Sequence, residues 1–134
     1  MNNQTAYLAV RAHFTAPGAS FSRDDFGDCY YRHPEDLAAG VHPERVRKCA
    51  AGCLMPDDLY DAAQEQHDIE GTAWASVVDK LFETDAATME NLFGDVDVEL
   101  VNEMQYAHDN ANDLTTFIAQ LDSIAIRAGL TVPA

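Results

Sequence analysis

The chain has 134 residues, 47% of them hydrophobic, which suits one domain with a core of its own. Eight Lys and Arg stand against 23 Asp and Glu, a formal net charge of −15 that repels nucleic-acid phosphates and anionic lipid and favours basic partners or cations. No apolar run approaches the roughly 18 residues of a membrane span, Met1 to Thr5 lack the pattern of a secretion signal, and three cysteines are too few and too odd for a disulfide framework, so a cytoplasmic protein with reduced thiols is expected.

In chain order, Tyr7, Val10 and Phe14 recur at helical spacing, and Ala16-Pro17-Gly18 stops that helix. Ser20 to Tyr31 shows no clean period; Cys29 to Arg32 reads as a short strand, a candidate for one small β-hairpin. His33 to His42 reads as a loop. Pro43 then opens a predicted helix whose apolar stripe is Val46, Cys49, Ala50, Cys53 and Leu54. Pro56 starts a short turn through Leu59 and Tyr60, and Gln64 to Gly71 reads as a connection. Thr72 is a suitable N-cap for the clearest amphipathic stripe, Trp74, Val77, Val78, Leu81 and Phe82. Thr84 caps a short helix with Met89, Leu92 and Phe93. Asp95 or Asp97 opens the next, with Leu100, Val101, Met104 and His108 on one face. The last helix carries Leu114, Phe117, Ile118, Leu121 and Ala125, and Gly129 is suited to close it. The expected architecture is a compact all-α single domain over residues 1–134, built from five or six helices.

The chemistry-bearing residues are few. Cys49 and Cys53 share a predicted helical face, and with Cys29 and His33 or His42 they are the candidate zinc ligands. Their place in an apolar stripe makes core packing the simpler reading. His67-Asp68 and His108-Asp109 resemble the His-Asp pairs of metal-dependent phosphohydrolases, against the simpler reading of His108 as a hydrogen-bonded core histidine. The sequence holds no phosphate-binding glycine loop, nucleophile elbow or calcium-loop pattern, and no cofactor is expected. The acidic residues run from Asp57, Asp58 and Asp61 through Glu65, Asp68 and Glu70, and again through Asp95, Asp97 and Glu99. They read either as a solvated surface or as a face for a basic partner.

Cys29-Tyr30-Tyr31-Arg32, then Lys48-Cys49-Ala50-Ala51-Gly52-Cys53-Leu54 and Pro56-Asp57-Asp58-Leu59-Tyr60, resemble motifs of a family of small uncharacterised bacteriophage and prophage proteins. A looser likeness continues at Gln105 to Asp109 and Ile124 to Leu130. The resemblance implies a phage-type accessory protein and brings no established activity or catalytic residues. The expected function is therefore non-enzymatic: binding, and inhibiting, a host protein with a basic surface, such as a nucleic-acid-handling or defence complex. The partner face is drawn from Asp57, Asp58, Asp61, Glu65, Asp95, Asp97 and Glu99, without direct contact to nucleic acid or membrane. The alternative is a pocket in which Tyr31, Arg32, Lys48 and Tyr60 bind an anionic, nucleotide-like ligand. In the motif itself, Gly52 is expected to permit a close backbone approach.

Overall fold

Helix α1 (Asn3–Thr15) begins at a reciprocal cap: Asn2 Oδ1 accepts from the Thr5 amide while Thr5 Oγ1 accepts from the Asn2 amide, each at 2.9 Å. Its buried face is Ala6, Tyr7, Val10 and Phe14. In this computed structural model, which describes residues 1–134, six further α-helices follow. They are α2 (Pro34–Ala38), α3 (Asp57–His67), α4 (Trp74–Thr84), α5 (Ala86–Phe93), α6 (Val98–Asn110) and α7 (Leu114–Arg127), with short 3-10 turns at Pro43–Arg45 and Gly52–Leu54. There is no sheet. The all-α expectation holds, with seven helices rather than five or six.

The amphipathic stripes fix how these helices meet. Trp74, Val77, Val78 and Leu81 are the buried residues of α4; Phe117, Leu121, Ile124 and Ala125 are those of α7. Helix α7 packs on α1 and α6, and α4 packs on α5 and α6, giving one continuous apolar core. Phe14 and Phe117 meet edge-to-face at 4.8 Å near its centre, with Phe21 covering them from the loop after α1. At the end of α7, Gly129 (φ +77°) turns the chain left-handed. The Leu130 amide then reaches the Ala125 carbonyl at 2.8 Å and the Gly129 amide reaches the Ile126 carbonyl at 3.0 Å, a Schellman cap.

Cap assignments shift by one residue in two places. Ala73, not Thr72, precedes α4, and the Thr72 carbonyl accepts from the Tyr31 hydroxyl. Asp85, not Thr84, caps α5; Thr84 Oγ1 turns back to the Lys80 carbonyl at 2.8 Å. Asp97 caps α6 and Asp113 caps α7, each through a side-chain oxygen.

The larger departures lie between residues 33 and 67. The segment read as a loop carries α2, which His33 caps by accepting the Glu35 amide on Nδ1. The turn begun by Pro56 continues as the full α3. The helix predicted from Pro43 through Leu54 does not form. Instead Lys48 pairs in an isolated antiparallel bridge with Arg32, and the His33 amide donates to the Arg47 carbonyl at 2.9 Å. The Arg47 amide is held by Asp36 Oδ2 at 2.8 Å. These non-local bonds occupy the Arg47 amide and the Arg47 carbonyl that a helix would have used within itself, and they override a stripe that was only locally plausible. The expected hairpin is reduced to one bridge, Arg23 with Cys29, closing the loop around Asp24 to Asp28.

Candidate functional site

The motif residues converge where the non-helical segment 29–33 runs between the 46–55 stretch and α3. The Glu70 carboxylate, beyond the end of α3, is the centre of this knot. It accepts from the Tyr31 amide at 2.7 Å, the Arg32 amide at 3.1 Å and the Tyr60 hydroxyl at 2.8 Å. Gly52 lies against the Tyr31 carbonyl so closely that a Cβ there would sit 2.2 Å from that oxygen. The close approach expected of Gly52 is therefore real, and Tyr31 is the chain it approaches.

The four residues expected to bind an anion are indeed brought to one place, but three of them are already engaged. The Arg32 side chain is 5% exposed. It donates to Asp57 through Nη1 and to the Met55 carbonyl through Nη2 at 2.9 Å, and its guanidinium lies 4.6 Å from the Tyr60 ring centre. Tyr31 donates its hydroxyl to Thr72 and Tyr60 donates to Glu70; burial, first of all, raises both phenols well above their ordinary range. Lys48 is partly buried and makes no ion pair. Its pKa is lowered by burial first and by the neighbouring Arg32 second.

The three cysteines do not assemble. Cys49 is fully covered and its sulfur accepts from the Gly52 amide at 3.3 Å, so it caps the turn that leads into the 3-10 segment. Burial pushes its thiol well up, and pushes the Cys53 thiol up to about 12. Neither belongs to a group of metal-capable side chains. Cys29 does, though with partners other than those expected: its sulfur, His108 and Asp109 each offer a ligand atom, all within 4.8 Å of one another. His33 and His42 are elsewhere, accepting the Glu35 and Glu44 amides on Nδ1 as helix caps.

His108 is wholly buried among Phe14, Phe21 and Phe117. Its Nε2 accepts the Ser22 amide at 3.2 Å, which leaves the ring proton on Nδ1 to be donated to Asp109 Oδ1 at 2.9 Å. Burial lowers its pKa against the opposing pull of Asp109, so the core-histidine reading is the one that matches its surroundings. His67 lies apart, bonded to Thr84 at 2.8 Å, and the two His-Asp pairs share no cluster. Gln105 ties the region together: its Nε2 donates to Asp109 Oδ1 at 2.7 Å and its Oε1 accepts the Ala51 amide at 2.9 Å. Burial raises and hydrogen bonds from His108, Cys29 and Gln105 lower the Asp109 pKa, with a net fall. The Cys29 thiol, raised to about 12 by burial and then by Asp109, is no thiolate nucleophile at neutral pH. Beside this trio opens a cleft of about 300 Å³ lined by Cys29, Tyr31, Thr72, Trp74, Gln105 and Asp109.

All seven residues expected to form a partner face are exposed. They fall into two groups, Asp57, Asp58, Asp61 and Glu65 on α3, and Asp95, Asp97 and Glu99 at the start of α6. Local helix electrostatics account for part of this, since Asp57, Asp58 and Glu99 occupy first turns and Asp97 is a cap. Only Glu35, Asp36, Asp57 and Asp122 pair with an arginine. Sequence reasoning missed Glu70 as a keystone, reading it as one more acid in a run, named Gln105 only as part of a looser motif likeness without a role, and gave Ser22 no role. No local pattern marks them, because the bonds that define their roles, Glu70 to the Tyr31 and Arg32 amides, Gln105 to the Ala51 amide and the Ser22 amide to His108, span 38 to 86 residues.

Comparison with protein-family models, with curated proteins and with solved structures finds no match to this chain.

Proposed function

We propose that this is a non-enzymatic accessory protein of phage type, acting in the bacterial cytoplasm, whose acidic surface engages and inhibits a host protein with a basic face. A nucleic-acid-handling or defence complex is the kind of target such a surface fits. The observation that carries the reading is that the charge of −15 is not cancelled within the fold. Arg11, Arg32 and Arg47 are consumed in internal ion pairs, and Arg23 is consumed on the Asp109 and Ala111 carbonyls at the end of α6. Asp58, Asp61, Glu65, Asp95, Asp97 and Glu99 face solvent without a cationic partner. A field of one sign steers a basic partner and repels nucleic acid.

The test is capture of host proteins at low and high salt by the intact protein and by a variant with Asp58, Asp61 and Glu65 changed to their amides. A basic protein retained at low salt and lost from the variant supports the reading. Retention of nothing at low salt, or equal retention by the variant, removes it.

A second reading, an anionic nucleotide-like ligand held by Lys48 beside Arg32, draws on the unpaired Lys48 amine and on the buried Arg32 Nε, which has no partner. A thermal-shift screen of nucleotides decides it: a ligand at about 100 times its Kd adds roughly 2.7 kcal/mol, and no shift with any nucleotide eliminates it.

A further inference from the structure

We propose that the cleft beside Asp109 binds a primary alkylammonium group, with one oxygen of the Asp109 carboxylate as its counter-ion and the rings of Tyr30, Tyr31 and Trp74 about its stem. This goes beyond partner binding and does not depend on it.

The carboxylate is held from one side only. Its Oδ1 accepts from His108 Nδ1 at 2.9 Å and from Gln105 Nε2 at 2.7 Å, whereas Oδ2 takes no such bond. No Lys or Arg pairs with it. Arg23, a nearby cation, donates instead to the Asp109 and Ala111 carbonyls and stacks on Phe21 at 4.0 Å. The Cys29 thiol is close, but it is a weak donor and its hydrogen bond goes to the Gly27 carbonyl at 3.6 Å. The Asp109 side chain is 36% exposed, and its lowered pKa keeps it ionised at neutral pH. A negative charge without a cationic partner therefore stands at the edge of a cleft.

Its orientation is fixed from behind. The Ser22 amide donates to His108 Nε2 at 3.2 Å, which sets the tautomer that presents Nδ1–H to Asp109. Gln105 is held in turn by the Ala51 amide at 2.9 Å. His108 and Gln105 are thus positioning residues, and ligand binding at Oδ2 leaves all of their bonds in place.

The remaining walls select the ligand. The cleft, about 300 Å³, has Asp109 as its only charged lining residue, so it attracts cations and offers an anion nothing. The Tyr31 and Trp74 rings meet at 6.4 Å, and aromatic faces attract an ammonium and the methylenes next to it. Because Oδ1 already carries two hydrogen bonds, a single oxygen is left. That suits the point charge of an ammonium rather than the fork of a guanidinium, which uses both oxygens. The chain's charge of −15 adds a field of the same sign.

Trp74 is the only tryptophan and lines the cleft, so its fluorescence reports occupancy in the intact protein. The titrants are n-butylammonium, 1-butanol as its uncharged counterpart, and Nα-acetyl-lysine N-methylamide, at about 0.15 M salt to screen exposed charges. The expected result is a saturable change with n-butylammonium and none with 1-butanol. Asp109→Asn weakens binding at least about 10-fold, while the surface change Asp58→Asn leaves it within about two-fold; far-UV circular dichroism establishes that both are folded. Tighter binding of the lysine analogue assigns the ammonium to a protein side chain, and tighter binding of n-butylammonium assigns it to a free amine; either supports the site. A non-saturable response, equal binding of 1-butanol, or equal losses in the two variants overturns the proposal. Should Asp109→Asn not fold, amide chemical shifts of the wild-type protein decide: changes centred on Asp109 and Gly71 to Trp74 support the site, and changes centred on the acids of α3 overturn it.

Discussion

Two halves of this molecule are held by different physics. Where α1, α6 and α7 meet, most of the contact is apolar area, Phe14, Phe117, Leu121 and Met104, with His108 and the bonds of Tyr7 and Arg11 to Asp122 as its polar exceptions. Around Tyr31, Arg32 and Gly52 the chain is mostly non-helical, and it is held by a carboxylate with three donors, a buried arginine and one backbone contact with no room for a methyl group. The first region rewards volume and forgives detail. The second is built of partners that cannot be substituted one at a time, since an unmatched buried polar group costs more than its bond contributes.

That contrast can be tested from its largest effects downward, with denaturant unfolding as the common measurement. Phe117→Ala removes a ring from the centre of the apolar half and should cost about 3–5 kcal/mol. Gly52→Ala puts a Cβ against the Tyr31 carbonyl and should cost about 3 kcal/mol. If it were neutral, the close approach would not constrain the knot. Glu70→Gln is nearly isosteric but loses one acceptor oxygen, leaving an amide or the Tyr60 hydroxyl unmatched, for about 2 kcal/mol. Leu121→Met, an equally conservative change in the apolar half, should cost less than about 1.5 kcal/mol. Equal losses for these last two would dissolve the distinction.

The smallest effect is one of pH. Burial first, then Lys48 and His108, lower the His13 pKa from 6.5 to about 4. Between those values the unfolded chain binds a proton that the folded one does not, so this histidine's contribution is complete above about pH 6.5 and is lost as the pH falls towards 4. The stability difference between the wild-type protein and His13→Asn should therefore shift against the wild type over that range. A difference independent of pH would place His13 in a more solvated setting than its burial indicates.

How much was legible in advance follows the same division. Helices α1, α4, α6 and α7 were readable because their stripes and caps are local: Tyr7, Val10 and Phe14 on one face, Trp74 to Leu81 on another, Asp97 before α6, Gly129 after α7. The helix predicted over Val46 to Leu54 failed for a physical reason. Its stripe was genuine, but Arg32, His33 and Asp36 claim the backbone of Arg47 and Lys48 first. The core-packing reading of Cys49 and Cys53 fits, with Cys49 in the core and Cys53 packed against it; their grouping as zinc ligands rested on a spacing that only a helix makes meaningful.

The sequence by itself determined that this chain is helical, that its apolar residues close around one core, and that its charge of −15 lies outside that core. Those properties depend on periodicity over a few residues and on composition, which need no knowledge of distant contacts. Only the tertiary structure decided that Glu70 grips Tyr31 and Arg32, that Arg32 is used internally against Asp57, and that Cys29 meets His108 and Asp109. Each of those is a pairing across 25 to 80 residues. Such pairings arise when packed helices bring loop backbone and side chains into register, and a single sequence carries no local mark of them.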